Sequence, residues 1–341
     1  MNKASTFLLW VFIGFAFWLP AQDTHFSQFY ASPLNLNPAL TGVNQGTYRL
    51  AGIYRNQDRS FTVPYVTYSV SGDSKILENK LKSDILGVGL VFLGDKSGDG
   101  VLTMNNIMLS VAYHKSLDKA HKHYIGLGIQ GGYTMKSVNI NRLTFPDQHV
   151  GSDFDLSAPN GENLAKSQLG YFDLNIGILH QSWIKKDDLG IFSGFSIYHL
   201  TSPKESFYND GTHLANRFTF HAGAYIKVIK HFYVTPNILV NYQNKALEVN
   251  FGTGLEYHLD TKKSPLIMFV GGWGRVGDVG IVSAGLEYYK VRVSFAYDIT
   301  ASSLSDATNK RSAFELAVIF TGLIKSPKEV TYPRMVPCPL M

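Results

Sequence analysis

A single cysteine, Cys338, stands in the whole chain, so an internal disulfide framework and cysteine-rich zinc sites are both excluded. Charge is scarce as well. Asp, Glu, Lys and Arg together make up 17% of the residues, against roughly 25% in ordinary soluble domains. The formal net charge of +5 is dispersed and forms no basic stripe, so nucleic acid is not an expected partner. Beyond the first 21 residues there is no run of about 20 apolar residues, and no membrane-crossing helix is expected there. Helical periodicity is nearly absent, apart from a short turn at Ile76-Leu77-Glu78-Asn79-Lys80-Leu81. The chain also lacks G-x-S-x-G and H-E-x-x-H, so no enzyme activity, metal or cofactor is expected.

What the chain does have is aromatic and glycine content. Aromatics are 13% of the residues, with 22 Phe and 19 Tyr, and there are 31 Gly. With low charge and middling hydropathy, this suits strands that carry one apolar and one polar face. The opening segment is a different matter. Lys3 supplies a positive start, Phe7 to Leu19 is a short apolar stretch, and Leu19-Pro20-Ala21 precedes a polar turn to Gln22-Asp23. That pattern predicts a secretory signal peptide at 1–21.

Residues 22–46 do not read as a strand, because Pro33 and Pro38 cannot donate ladder hydrogen bonds. From Thr47 onward, apolar residues alternate with period two. Ile107, Leu109, Val111 and Tyr113 stand against Met108, Ser110 and Ala112; Phe172, Leu174, Ile176 and Ile178 stand against Tyr171, Asp173, Asn175 and Gly177. The same alternation places Glu248, Asn250, Glu256, Arg292, Asp298 and Glu315 on the polar face. Segments of about 10–13 residues, with Tyr or Phe near strand ends (Tyr54, Phe92, Tyr113, Tyr133, Tyr257, Tyr297), predict an all-β transmembrane antiparallel up-and-down β-barrel. About fourteen strands fit within 47–324: 47–56, 61–72, 84–94, 103–114, 122–138, 167–182, 189–199, 216–228, 231–244, 246–259, 264–275, 278–289, 290–300 and 311–323. An even count puts both barrel ends on the periplasmic side. The long connections 139–166, 200–215 and 301–310 then fall outside, with 73–83 as an anomalously long periplasmic turn. The tail 325–341, with Pro327, Pro333, Pro337 and Pro339, is expected in the periplasm.

Three motifs reduce to ordinary structure. Gly126, Gly128 and Gly131 match G-x-G-x-x-G but sit inside a predicted strand, where they would make room on the lumen face rather than cradle a dinucleotide. Asp95, Ser97, Asp99 and Gly100 resemble half an EF-hand loop, but Asn106 replaces the bidentate Glu. His121 and His123 lie in a Lys-rich turn.

The segment from Asp23-Thr24-His25-Phe26-Ser27-Gln28-Phe29-Tyr30 through Pro33, Asn35, Asn37-Pro38-Ala39 to Gly42 resembles the opening of the PorP/SprF family of Bacteroidetes outer-membrane proteins. Further fragments agree: Tyr54-Arg55-Asn56-Gln57, Gly194-Phe195-Ser196 to His199-Leu200 with Pro203, Pro236-Asn237 to Tyr242-Gln243, Ser294 to Tyr297-Asp298, and Pro337-Cys338-Pro339. Asp58 departs from the family pattern, where an aromatic is expected. The resemblance implies a component of the type IX secretion system. Its implied partners are secreted cargo proteins, bound through their C-terminal domains, and a periplasmic peptidoglycan-associated component of the machinery. Export, surface attachment and gliding motility are the implied roles. The alternative from the residues alone is an outer-membrane pore for small solutes or fatty acids. Phe26, Phe29, Tyr30, Asn35, Asn37 and Pro38 have apolar and amide groups with no strand to join, which predicts a plug inside the barrel or a clasp on a periplasmic partner.

Overall fold

The computed structural model describes residues 23–57, 64–81, 83–98, 101–151, 153–155, 158, 166–184, 188–208, 210–261, 264–301 and 311–324. The expected leader at 1–21, the tail at 325–341, Asp58 and the pair Asp99-Gly100 lie outside the described residues.

Alternating β-branched and aromatic residues favour extended backbone, because side chains at every second position share one face of the pleat. The chain accordingly forms β1 (Tyr48–Gln57), β2 (Tyr65–Ile76), β3 (Ile85–Ser97), β4 (Leu102–Ser116) and β5 (His123–Ser137). A small ribbon, β6 (His149–Val150) with β7 (Asp153–Phe154), lies in the next connection. Then come β8 (Gln168–Ile184), β9 (Leu189–Tyr198), β10 (Arg217–Ile229), β11 (Phe232–Gln243) and β12 (Ala246–Thr261). The last four are β13 (Ser264–Arg275), β14 (Val279–Tyr288), β15 (Val291–Thr300) and β16 (Arg311–Gly322). All except the ribbon pair in sequence order to form one closed antiparallel barrel of fourteen strands. The seam joins β1 to β16, in register from Tyr48↔Gly322 to Gln57↔Ala313. Closure removes every sheet edge, which is what allows strands to cross a lipid bilayer.

The outer face is apolar and the inner face polar. On β8, Phe172 is 75% exposed while its neighbour Asp173 is 3% exposed. Tyr54, Tyr113, Tyr133 and Tyr257 all point outward and are exposed. Tyr133 packs edge-on against Phe172 at 4.9 Å between ring centres. At one end of the barrel several connections are minimal, as at Lys230-His231 and Tyr289-Lys290. The other end carries the two longest connections with described residues, 138–167 and 199–216. Asn244 and Lys245 at that end both have positive φ, +46° and +68°, as a tight two-residue hairpin turn requires.

Two expectations need correction. Strand β2 runs from Tyr65 to Ile76, not from 61 to 72, so the anomalous turn shortens to 77–84 and holds a helical turn at Glu78–Leu81. Asp73 and Lys75 suggest a polar turn, but both point inward, where Asp73 meets Arg49 and Lys75 donates to the Asn44 carbonyl. Of the three motif glycines, Gly126 and Gly128 share the inward face with Gln130, whereas Gly131 lies on the outward face beside Leu174.

Candidate functional site

The lumen is occupied by the chain's own N-terminal segment. From Phe26 to Asn44 every residue except Asn35 is buried. The segment has only short turns, at Phe29–Ala31, Pro33–Leu36 and Pro38–Leu40. Prolines at the first position of the latter two set φ for a turn while removing an N–H that would have no partner there. Wall side chains take over the role a ladder would play.

The part from residue 33 to 44 is seated sterically. Asn37 donates from Nδ2 to the Ile178 carbonyl at 3.0 Å and lies 3.1 Å from His221 Nε2, while its Oδ1 accepts from Ala39 N at 2.8 Å. Glycines line its notch. A Cβ on Gly177 would sit 1.9 Å from Asn37 Oδ1, and one on Gly128 would sit 2.3 Å from Ala39 N. A Cβ on Gly87 would lie 2.4 Å from the Thr41 carbonyl oxygen. Gln130 donates to the Leu34 carbonyl, Ser196 to that of Leu36 and Tyr198 to that of Asn35. Asn35 in turn donates to Ser69. Arg49 bridges Asp73 at 2.8 Å to the carbonyls of Leu40 and Val43.

The part from residue 23 to 31 is held mainly by charge. Glu315 accepts from the backbone N–H groups of Ser27 and Gln28, at 2.6 and 2.8 Å. The Ser27 hydroxyl donates to Asp298 at 2.7 Å and accepts from Arg55 and Arg275. Arg55 also pairs with Asp298 and Glu315. His25 lies 3.5 Å from Glu248. Phe26, Phe29 and Tyr30 fill the space beside a wall of short and aliphatic side chains that includes Ala51, Ile53, Ala296 and Ala317. Tyr30 stacks near Trp273, 5.5 Å between ring centres.

Asp23 lies at the end with the long connections. Its carboxylate meets His199 Nε2 at 2.7 Å and Arg217 at 3.1 Å, and its N–H donates to Gln243. His199 Nδ1 contacts Asp173 at 2.5 Å. Burial disfavours the charged forms of both partners, but the opposite charges outweigh it. Arg217 and His199 hold the Asp23 carboxyl well below its usual range. Against the same burial penalty, Asp23 and Asp173 raise His199 to about 9.

Of the polar-face residues expected from the sequence, Asp298, Glu315 and Glu248 thus contact the segment directly. Asp173 acts through His199, and Asn175 accepts from the His199 N–H and donates to Gln130. Asn250 is fully buried, and neither of its amide atoms has a partner among the described residues. Glu256 and Arg292 instead pair with each other at 3.1 Å, and with His258 and Glu287. Sequence reasoning missed Arg49, Asp73, Gln130, His221, Arg217 and Arg275. The available signal was the family-like fragments, because Arg55, Ser196, His199, Gln243 and Asp298 all come from them and all touch the segment.

Cavities remain at both ends of the barrel. One of about 670 Å³ opens at the long-connection end, floored by the segment from Asp23 to Leu36. One of about 200 Å³ lies at the opposite end, beside Val43, Arg49, Arg292 and Ile319. Among the described residues no group of His, Cys, Asp or Glu is arranged to hold a metal ion.

Comparison with known proteins gives a family and a fold. A family model described as type IX secretion system membrane protein PorP/SprF matches residues 19–320. No curated protein matches the sequence. Among solved structures, the chain is similar to the toluene transporter TbuX of Ralstonia pickettii. The TM-score is 0.52 at 10% identity, over 85% of this chain and 92% of that one. It is also similar to a deletion mutant of the monoaromatic hydrocarbon channel TodX, with TM-score 0.50 at 10% identity over 85% and 93%. At such identities the likeness shows the outer-membrane barrel fold alone.

Proposed function

Because the chain belongs to the PorP/SprF family of type IX secretion system membrane proteins, placed in the outer membrane by family and fold, we propose that it is a closed docking barrel of that system. It binds the C-terminal domains of exported cargo, a periplasmic peptidoglycan-associated component, or both, and so supports export, surface attachment and gliding. Residues 22–46 are its plug, delivered after removal of the leader at 1–21, and the tail at 325–341 lies in the periplasm. One observation carries this reading: the lumen is filled by a buried segment that bonds to walls on all sides, which suits a binding scaffold better than an open conduit. Affinity purification from native outer membranes tests it. Cargo C-terminal domains or a peptidoglycan-associated protein should co-purify, and recovery of the barrel alone would count against docking. Deleting 26–40 should leave the barrel inserted and abolish export of dependent cargo.

The cavity of about 670 Å³ favours a second reading, an outer-membrane pore for small solutes or fatty acids. Uptake that persists in a strain whose cargo export is lost would support it.

A further inference from the structure

We propose that the plug has two parts, and that residues 23–31 alone form a releasable gate whose departure opens an ion-conducting passage beside β1, β15 and β16. The proposal rests on residues 22–46 being the plug. It goes further in assigning opening to one half and in naming what passes: small hydrated ions and polar solutes.

The two halves differ in how well they are satisfied. From Ser32 to Gly46 no buried side-chain polar atom is left without a partner. In the other half, Thr24 Oγ1 and both amide atoms of Gln28 are buried with no hydrogen-bond partner among the described residues. Asp298 Oδ1, on the wall that holds Ser27, is in the same condition. A buried unsatisfied polar group weakens the state that contains it, so the less satisfied segment opens first. The glycine notch adds a steric contrast. Asn37 and Ala39 fit into glycine recesses in the wall, whereas Phe26, Phe29 and Tyr30 are buried against side chains, among them Ala51, Ile53, Ala317 and Trp273.

Position supplies the route. Arg49 lines the smaller cavity and Arg55 the larger, on the same inward face of β1. Six steps along the strand separate them, about 20 Å. Ala51 and Ile53 lie between, covered by the aromatic cluster of residues 26–31. Removing that cluster joins the two cavities along β15, β16 and the Ala51–Arg55 part of β1, while Pro33–Val43 stays seated on Arg49 and on the walls from β2 to β10. The exposed passage would be lined by Arg55, Arg275, Glu248, Asp298 and Glu315, which suits ions of either sign rather than an apolar solute.

The experiment is single-channel recording in planar bilayers with potassium chloride. It uses the full mature chain, a deletion of 23–31, a deletion of 23–46, and the full-length triple variant Asp23→Asn, Ser27→Ala, His199→Gln. Heat-modifiable migration in detergent gels confirms that each barrel is folded. The full chain should stay shut. The triple variant should show brief openings at least tenfold more often, and the 23–31 deletion a steady conductance below that of the 23–46 deletion. If the 23–46 deletion conducts but the 23–31 deletion and the triple variant stay shut, the gate is overturned and the plug stands. If the 23–46 deletion is also shut, both fail. A 23–31 deletion that conducts as much as the 23–46 deletion, with 33–46 cleaved by added protease, overturns the division into two parts.

Discussion

Asn37 has little room to be anything else. Its side chain spans β8, β9 and β10 through the Ile178 carbonyl and His221, and the wall glycines leave space for one planar amide. Gly128→Val would place a side chain where the Ala39 backbone N–H now lies. The seated segment should lose about 1–3 kcal/mol or more, as overpacked sites do. Hydrogen exchange of residues 37–41 should accelerate while the strand amides keep their protection; unchanged exchange would mean that the notch is not what seats the segment. His199 gives a pH signature. It faces Asp23 and Asp173 directly, with Arg217 on the same Asp23 carboxylate and the Tyr198 ring beside it. Its affinity for a proton is raised in the folded state, so its contribution is complete below its ordinary value of 6.5 and is lost as pH rises through about 9. Asp23 is shifted the other way, so its share is present above the ordinary carboxyl value of 3.8 and is lost on acidification. A spin label at Thr24→Cys should therefore be immobile near neutrality and gain mobility in the alkaline range. His199→Gln should flatten that dependence.

Strands respond to charge by which face receives it. Leu174→Arg or Phe295→Arg puts a guanidinium into the apolar band and should destabilise the inserted barrel by about 2–4 kcal/mol near the midplane. Asn175→Arg and Ser294→Arg point inward from buried positions, Asn175 where it bonds to His199 and Gln130 beside the larger cavity. Their damage should fall on the seating of the N-terminal segment, read by proteolysis of residues 23–46, with the barrel still heat-modifiable. If both pairs prevent insertion alike, the outward face is not a lipid face. The period of two was enough to predict these faces, because a closed barrel makes every strand obey one inside–outside rule. It misled at Asp73 and Lys75, where two charges one residue apart resemble a turn, yet both point into the lumen. Partners inside the lumen were less legible. Ser27 meets Asp298 and Glu315 only because closure brings β15 and β16 beside β1, across sequence separations of 271 and 288 residues. No local pattern encodes such a meeting.

On the scale of the molecule, the two ends are unequal. Long connections gather at one and minimal turns at the other, as in barrels whose short turns face the periplasm. Single cysteines in a Cys338→Ser background should report this in intact cells. Residues within 139–166 should react with an impermeant maleimide, and residues of 325–341 should react only after lysis. Surface labelling of the tail would reverse the orientation. The seam adds a matter of timing. Residues 33–44 bond to walls from β1 to β10, the first part of the barrel in sequence, whereas Ser27 and Gln28 bond to β15 and β16, its last two strands. Thr47 donates its N–H to the Gly322 carbonyl at the very point where the segment leaves the lumen and the cylinder seals. The first half therefore completes its contacts only when the first and last strands meet, so the closing of the seam and the seating of Ser27 and Gln28 depend on the same two strands.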